Sequence, residues 1–360
     1  MNRLATTCLL GLLAALSTAC VSPHLIPGPL VKPQGEVGQL YAGKSAQVTV
    51  AVQDDRPKDA VLGGGVLGPN GDEGKGIFLG YVTEAPGDVA QFMEATAKDT
   101  VAALGLTAGP AVRVEVRLKD LHVAMYRYTG FSPMNCIGYV QVATVVPGAD
   151  GTAKTRTFKL TYFENTTPMM SMKEITKEAV SRIILQATRE ALVVTLLDQF
   201  PQTADPAALE KVTTAMRTGP DNIPAREQMF WLALAGRGNA AVKEGVIAAF
   251  RTHKEDRVRQ GAAEAIGMLG LVEQKDELLA VLAGTSKVAG WDNADTEQVW
   301  YLLKALHLLG VPDLPAKIPN TNLKGRVHLT NLVEFLKTGT VPPLTAAEAE
   351  GLAKARQNGI

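Results

Sequence analysis

Few residues in this chain have the type and spacing that chemistry needs. Asp120 and His122 stand two apart, so on a strand they share one side and could work as a general acid and base. No nucleophile accompanies them in sequence, and a solvated or hydrogen-bonded pair is the expectation. Gly63, Gly65 and Gly68 spell G-x-G-x-x-G. A dinucleotide site needs that run directly after a strand and opening a helix. Here Asp54 to Ala60 intervene and Pro69-Asn70-Gly71 follow, so the stretch from Gly63 to Gly80 is expected to be a flexible loop. Gly74-Lys75 resembles a phosphate-binding loop only in part. Gly76 replaces the magnesium-binding hydroxyl and Pro69 the first glycine. Cys136 lies among Ser132, Pro133, Met134 and Asn135, which offer no base or cation to lower its pKa, so it reads as a small buried residue. His24, His122, His253, His307 and His328 form no metal-ligand spacing. No catalytic residue, metal or cofactor is expected. Arg257, Arg259 and Trp291 are left as candidate binding contacts. In the loop Gly290-Trp291-Asp292-Asn293, Trp291 is the aromatic placed for an exposed contact.

Cys20 carries a different chemistry. Arg3 precedes an apolar run, Leu4 to Leu16, of about 13 residues, short of the roughly 20 that span a bilayer but long enough for a signal-peptide core. Small residues Ser17, Thr18 and Ala19 lead into Cys20. The arrangement resembles the lipobox of bacterial lipoprotein precursors, although Ser17 stands where Leu is usual and Leu16 is one step earlier. The resemblance implies removal of residues 1–19 and acylation (palmitate among the chains) of Cys20, the lipidation site. Several acyl chains on one residue give lasting attachment, because one chain alone binds marginally. With Cys8 in the removed segment, Cys136 has no disulfide partner. Val21 and Ser22 follow; the absence of Asp after the lipidated residue implies, by the same resemblance, the outer membrane, with the protein facing the periplasm.

Composition narrows the rest. Lys plus Arg and Asp plus Glu each total 36, for a formal net charge of zero, which argues against nucleic acid as a partner. Apolar residues make up 46% and charged residues 20%, as in an ordinary globular protein.

The elements that must position these residues fall into two blocks. Residues 20–44 hold Cys20 and Pro23, Pro27, Pro29 and Pro33, and read as an extended tether. From 45 to 200 the predicted order is strand, helix, strand, strand, strand, helix. Gln47 to Val52 alternate and form the first strand. Asp88 caps a helix carrying Val89, Phe92, Met93, Ala97 and Val101 on one face and ending at Gly105. Val112 to Leu118 alternate strictly. Strands at 137–146 and 155–163 are joined by Gly148-Ala149-Asp150-Gly151 as a hairpin. A long helix occupies 171–199. This order predicts an α+β domain, an antiparallel-rich sheet with helices on one face. Asp55-Arg56-Pro57, Leu79-Gly80 and Leu104-Gly105-Leu106, with these elements and the lipobox, resemble the YajG-like lipoproteins and, more distantly, auxiliary lipoproteins of ABC-type transport systems.

Residues 201–222 read as a linker. From 223 to 337 the pattern is helical and repeats. Val258 to Gly270 aligns with Gln298 to Gly310 at a spacing of 40, matching Ala265 with Ala305, Ile266 with Leu306 and Leu269 with Leu309. A looser copy runs from Arg226 to Gly236, with Ala240 to Phe250 as its partner helix. The run from Asp256 to Gly270 resembles the first helix of a HEAT repeat, and Val272 to Ala283 would be the second. That period suits HEAT and armadillo arrays, so an all-α HEAT-like solenoid is expected, with 338–360 as a tail. Arg257 and Arg259 then support packing between repeats or contact a partner, while Phe230, Trp231, Trp300 and Tyr301 fill the core.

Together these readings predict a non-enzymatic, lipid-anchored lipoprotein of the bacterial cell envelope that acts as an adaptor for another envelope protein. The alternative is an auxiliary subunit of an ABC-type lipid or solute transport system.

Overall fold

The computed structural model describes residues 46–57, 61–67, 77–84, 89–127, 134–148, 151–166, 172–200, 237–285, 293–318 and 326–343, with isolated positions between 207 and 234 and at 349 and 353. The strands are β1 (Gln47–Asp54), β2 (Val61–Leu67), β3 (Ile77–Glu84), β4 (Ala111–Arg127), β5 (Met134–Pro147) and β6 (Ala153–Thr166). They form one mixed sheet in the order β3-β2-β4-β5-β6, with β1 also on β4. β1 runs parallel to β4 from Gln47↔Ala111 to Asp54↔Leu118, and β2 continues the same edge at Gly65↔Met125 to Leu67↔Arg127. β4–β5–β6 is antiparallel throughout.

Two expectations change here. The stretch from Gly63 to Gly80 is not simply a loop: Gly63 and Gly65 lie within β2, which pairs with β3 as an antiparallel hairpin. Glycine is disfavoured in strands, which hides the hairpin from propensity. The register shifts at Val61/Gly63 and Gly64/Val66 are irregularities that a residue without Cβ accommodates. The strand expected to end at Leu118 continues to Arg127 through a bulge at Lys119. Before the bulge Val114, Val116 and Leu118 point inward; after it Leu121 and Val123 take over that face. One extra residue thus reverses the alternation and makes the second half read as irregular.

Helices α1 (Val89–Ala103) and α2 (Met172–Gln199) cover one face. A Cβ on Gly138 of β5 would lie 2.4 Å from Ile183 Cγ2 of α2, so glycine sets how closely helix and sheet approach. Val140, Val142 and Thr144 share that face, and Thr144 Oγ1 hydrogen-bonds Thr195 Oγ1 at 2.8 Å. The C-terminal helices are α3 (Ala240–Thr252), α4 (Asp256–Met268), α5 (Lys275–Thr285), α6 (Asn293–Leu308), the single turn α7 (Leu314–Lys317) and α8 (Arg326–Thr338). A 3-10 turn at Val272–Gln274 leads into α5. The repeat spacing is visible in how the helices end. Leu271 N bonds Ile266 O and Val311 N bonds Leu306 O, with Gly270 at φ 65° and Gly310 at φ 70° in the left-handed region. This is one Schellman ending repeated 40 residues later.

The two helices of the first block share one face, as expected, and the opposite face is covered by α6 and α8 of the C-terminal block. Tyr139 and Phe163 point there from β5 and β6. Trp300 of α6 meets Tyr139 edge-on at 5.8 Å and Phe163 at 5.9 Å, and Phe335 of α8 meets Tyr139 at 5.3 Å. Buried apolar residues of both blocks form one continuous cluster from Ala46 to Leu336. The C-terminal block therefore covers part of the face predicted to be wet, where β5 and β6 carry large aromatics that bury much apolar area, while Arg113 of β4 stays exposed.

Candidate functional site

The described C-terminal helices build two polar assemblies. The first is a groove of about 280 Å³ between α3, α4, α5 and α6. Three helices contribute residues four apart, which brings each pair onto one helix face: Arg259 and Ala263 of α4, Glu277 and Val281 of α5, Gln298 and Leu302 of α6. Phe250 and Arg251 close it from the last turn of α3. Arg251 grips Glu277 with two bonds, Nε to Oε1 at 2.8 Å and Nη2 to Oε2 at 2.7 Å. This fork holds the Glu277 carboxyl below the usual carboxylate range. Arg259 donates to the carbonyl of His253 and to Asp256. Gln260, only 3% exposed, lines the same groove, and its Oε1 has no hydrogen-bond partner among the described residues.

The second assembly is closed. Lys304 of α6 is 4% exposed at its side chain and reaches the edge strand β6. Its Nζ donates to Glu264 of α4 and to the Thr161 carbonyl at 3.3 Å, and lies 3.8 Å from Glu190 of α2. The ammonium also stands 4.9 Å from the centre of the Tyr162 ring, whose hydroxyl donates to Glu190 at 2.6 Å. Burial raises the Glu190 carboxyl above its ordinary range and Glu264 adds to the rise, against the pull of Lys304. Burial first, and then Glu190, push the Tyr162 hydroxyl well above 10. One cation shared by two carboxylates and an edge carbonyl is a tie between helices and sheet. Asp198 at the end of α2 makes an outer tie to Arg156 of β6 and Arg237 at 2.8 Å.

The sequence candidates scatter. Cys20 and Trp291 lie outside the described residues, as do Gly68 and Gly74-Lys75. Arg259 lines the groove. Arg257 does not, and its Nη1 is buried without a hydrogen-bond partner among the described residues. Asp120 is exposed and accepts from Leu121 N, whereas His122 is buried and stacked on Tyr139 at 6.2 Å, so the two do not converge. Cys136 is fully buried under α2. Trp300 and Tyr301 are buried as expected. Sequence reading missed Gln260, Glu264 and Lys304. The signals were present: Glu264 and Lys304 occupy equivalent repeat positions 40 apart with opposite charge.

His328 of α8 sits over the same face of the sheet, its carbonyl accepting from Tyr139 Oη at 3.4 Å. Burial, and secondly His122, lower its pKa from 6.5 to about 4. The folded protein thus keeps it neutral while the unfolded chain takes up a proton below about 6.5. Stability therefore falls as pH drops from about 6.5 to about 4, by about 3 kcal/mol in all. Urea midpoints of the full chain at pH 7.5 and pH 4.5 measure this, and His328→Leu should flatten the His-dependent part of the slope. An unchanged slope in that variant would place the acid sensitivity elsewhere.

Among the described residues no helix is long and apolar enough to cross a membrane, and no group of three His, Cys, Asp or Glu could hold a metal ion. No protein-family model matches the chain, and no curated protein matches it. Solved structures do align. The crystal structure of a Xanthomonas campestris protein of the family DUF330 is 15% identical, covering 49% of this chain and 95% of its own, with a TM-score of 0.28. The crystal structure of an uncharacterised protein is 11% identical, covering 43% and 94%, with a TM-score of 0.25.

Proposed function

We propose that this chain is a lipid-anchored protein of the bacterial cell envelope whose helical block holds another protein, without catalysis of its own. In this reading Cys20 bears the lipid, the 20–44 segment is the tether, and the YajG-like sheet is a platform that orients a HEAT-like array in the periplasm at the outer membrane. The observation that carries the reading is the groove between α3 and α6. It is an open concavity framed by fixed ion pairs on one side of stacked helices, the kind of surface on which repeat arrays hold partners. The buried cluster around Lys304 serves this function by fixing the array to its platform.

Because α6 and α8 share a core with the sheet, cutting the chain near residue 222 would strip Tyr139 and Phe163 of their cover. Function is therefore tested with point changes in the whole chain. A photo-crosslinking residue at Gln298 or Val281, in cells, should trap one identifiable envelope protein, and Cys20→Ala should abolish both the acyl mass on the mature N-terminus and the crosslink. Crosslinks arising only from exposed positions on the sheet, such as Thr49 or Arg113, to a permease would favour the auxiliary transport subunit instead.

A further inference from the structure

We infer that the open start of β6, residues 153–157, is a strand-addition site: it takes an extended segment of a partner protein that carries acidic side chains two residues apart. The inference goes beyond the groove, because it gives the sheet block a contact surface of its own. β6 ends the strand order, so its outer edge meets no strand among those described. Residues 153–157 are all exposed, on both faces of the sheet. Two hydrogen bonds fix which way the backbone points. The Thr152 carbonyl accepts from Gly148 N, on the β5 side, at 2.6 Å. The Thr161 carbonyl accepts from Lys304 Nζ at 3.3 Å, and Lys304 passes the outer edge to reach Glu190 on the opposite face. Pairing with β5 runs unbroken from Pro147↔Ala153 to Met134↔Thr166, so the alternation carries through. Lys154 and Arg156 therefore bond inward to β5, while the N–H and C=O of Ala153, Thr155 and Thr157 point outward. Among the described residues these outward groups have no hydrogen-bond partner. An unpaired row of this kind is a template for another strand.

Charge selects the occupant. Lys154 has no ion-pair partner among the described residues. Arg156 and Arg237 share one carboxylate, that of Asp198, through its Oδ2 and Oδ1. The Arg156 guanidinium lies 4.8 Å from the centre of the Phe158 ring, which holds it along the strand. Lys154 and Arg156 stand two apart on this face. Against an added antiparallel strand both occupy non-hydrogen-bonded pairs, where opposed side chains come closest. Carboxylates at alternate positions of the incoming strand meet them there, and a β-branched residue between the two lies opposite Thr155. A second copy of this chain does not fit. Outward residues must pair with outward residues, so two copies centred on Thr155 would set Lys154 against Arg156 twice, and like charges directly opposite destabilise a sheet.

The test uses the full chain and N-acetyl-Thr-Glu-Thr-Glu-Thr-amide, read by ligand-observed NMR at low salt. Saturable binding with a Kd on the order of 1 mM is expected for a ligand of this size, with the peptide carrying lysine in place of glutamate at least about tenfold weaker. Methylating the amide nitrogen of the central threonine, which faces Thr155, should weaken binding about tenfold. The same change at the second glutamate, whose amide faces away from β6, should cost about twofold at most. Thr155→Pro removes an N–H that β5 does not use, so the chain should stay folded by circular dichroism while binding falls about tenfold. Lys154→Glu should reverse the preference towards the lysine peptide. Absence of saturable binding would make Lys154 and Arg156 a guard against pairing and overturn the inference. Equal effects of the two methylations would reduce the contact to charge attraction and overturn it as well. So would a Thr155→Pro chain that fails to fold, because its N–H would then serve β5. Dimers of the native chain that Thr155→Pro dissolves would make a second copy the occupant and reject the acidic segment.

Discussion

Replacing Lys304 by Met should destabilise the protein by about 3–5 kcal/mol, the cost of removing one member of a buried ion pair while its partners stay behind. Two carboxylates, Glu190 and Glu264, would then face each other at the sheet edge without their shared cation. The Thr161 carbonyl on β6 would lose its donor as well. The loss should be larger at pH 8 than at pH 5. In acid, Glu190, already raised by burial, takes up a proton and the repulsion fades. Adding Glu264→Gln to Lys304→Met should recover a substantial part of the stability, since a neutral amide can stay buried with a hydrogen bond. Urea unfolding of the full chain at both pH values measures all of this. A loss below about 1 kcal/mol, the level of exposed pairs, would mean that water reaches the cluster and that it holds nothing together.

Trp300→Ala should cost a similar amount, about 3–5 kcal/mol, the range for emptying a large aromatic from a core. Trp300 is fully buried between Tyr139 and Phe163 of the sheet, so the cavity opens between the two blocks rather than within either. The informative readout is where protection is lost. Hydrogen exchange should accelerate in β5 and β6 as well as in α6 and α8, because one continuous core links them. If α6 alone lost protection while β5 and β6 kept theirs, sheet and helices would be independent folding units. The shared aromatic layer would then be a contact without consequence for cooperativity.

Much of the fold was legible because it depends on periodicity. Alternation marked β1, β5, β6 and the first half of β4, and 3.6-residue spacing marked α1 and α2. Gly105, Gly270 and Gly310 marked helix ends, and all three have positive φ. What escaped did so for identifiable reasons. β2 has three glycines, Gly63 to Gly65, at its centre, so its strand character comes from pairing with β3 and β4 rather than from its residues. The bulge at Lys119 reverses the alternation of β4, and a pattern with a phase slip looks like no pattern. The wet face predicted for the sheet is wet only in part. Arg113 is exposed, yet Tyr139, Thr161 and Phe163 on the same side of neighbouring strands are buried.

The groove shows the same division. Arg259 could be named from sequence as a residue with two roles, packing or contact. Its neighbours in the groove come from four helices spread from residue 250 to 302, and their assembly depends on how those helices stack. Gly267 illustrates the point: a Cβ there would lie 2.8 Å from Ala305 Cα, so the approach of α4 to α6 is set by a missing side chain, which no periodicity reports.

By itself the sequence determined the local conformations, the 40-residue repeat of the helical block and the expectation of an acylated Cys20. These follow from side-chain pattern, backbone freedom and short motifs, which act within a few residues or at a fixed interval. Only the tertiary structure decided that the two blocks share one core, that Lys304 is held by carboxylates from two different helices, and that Gln260 keeps a buried acceptor without a hydrogen-bond partner among the described residues. Those are properties of distance between residues far apart in the chain. Burial turns such distances into energy, by desolvating charges and leaving polar atoms in need of partners.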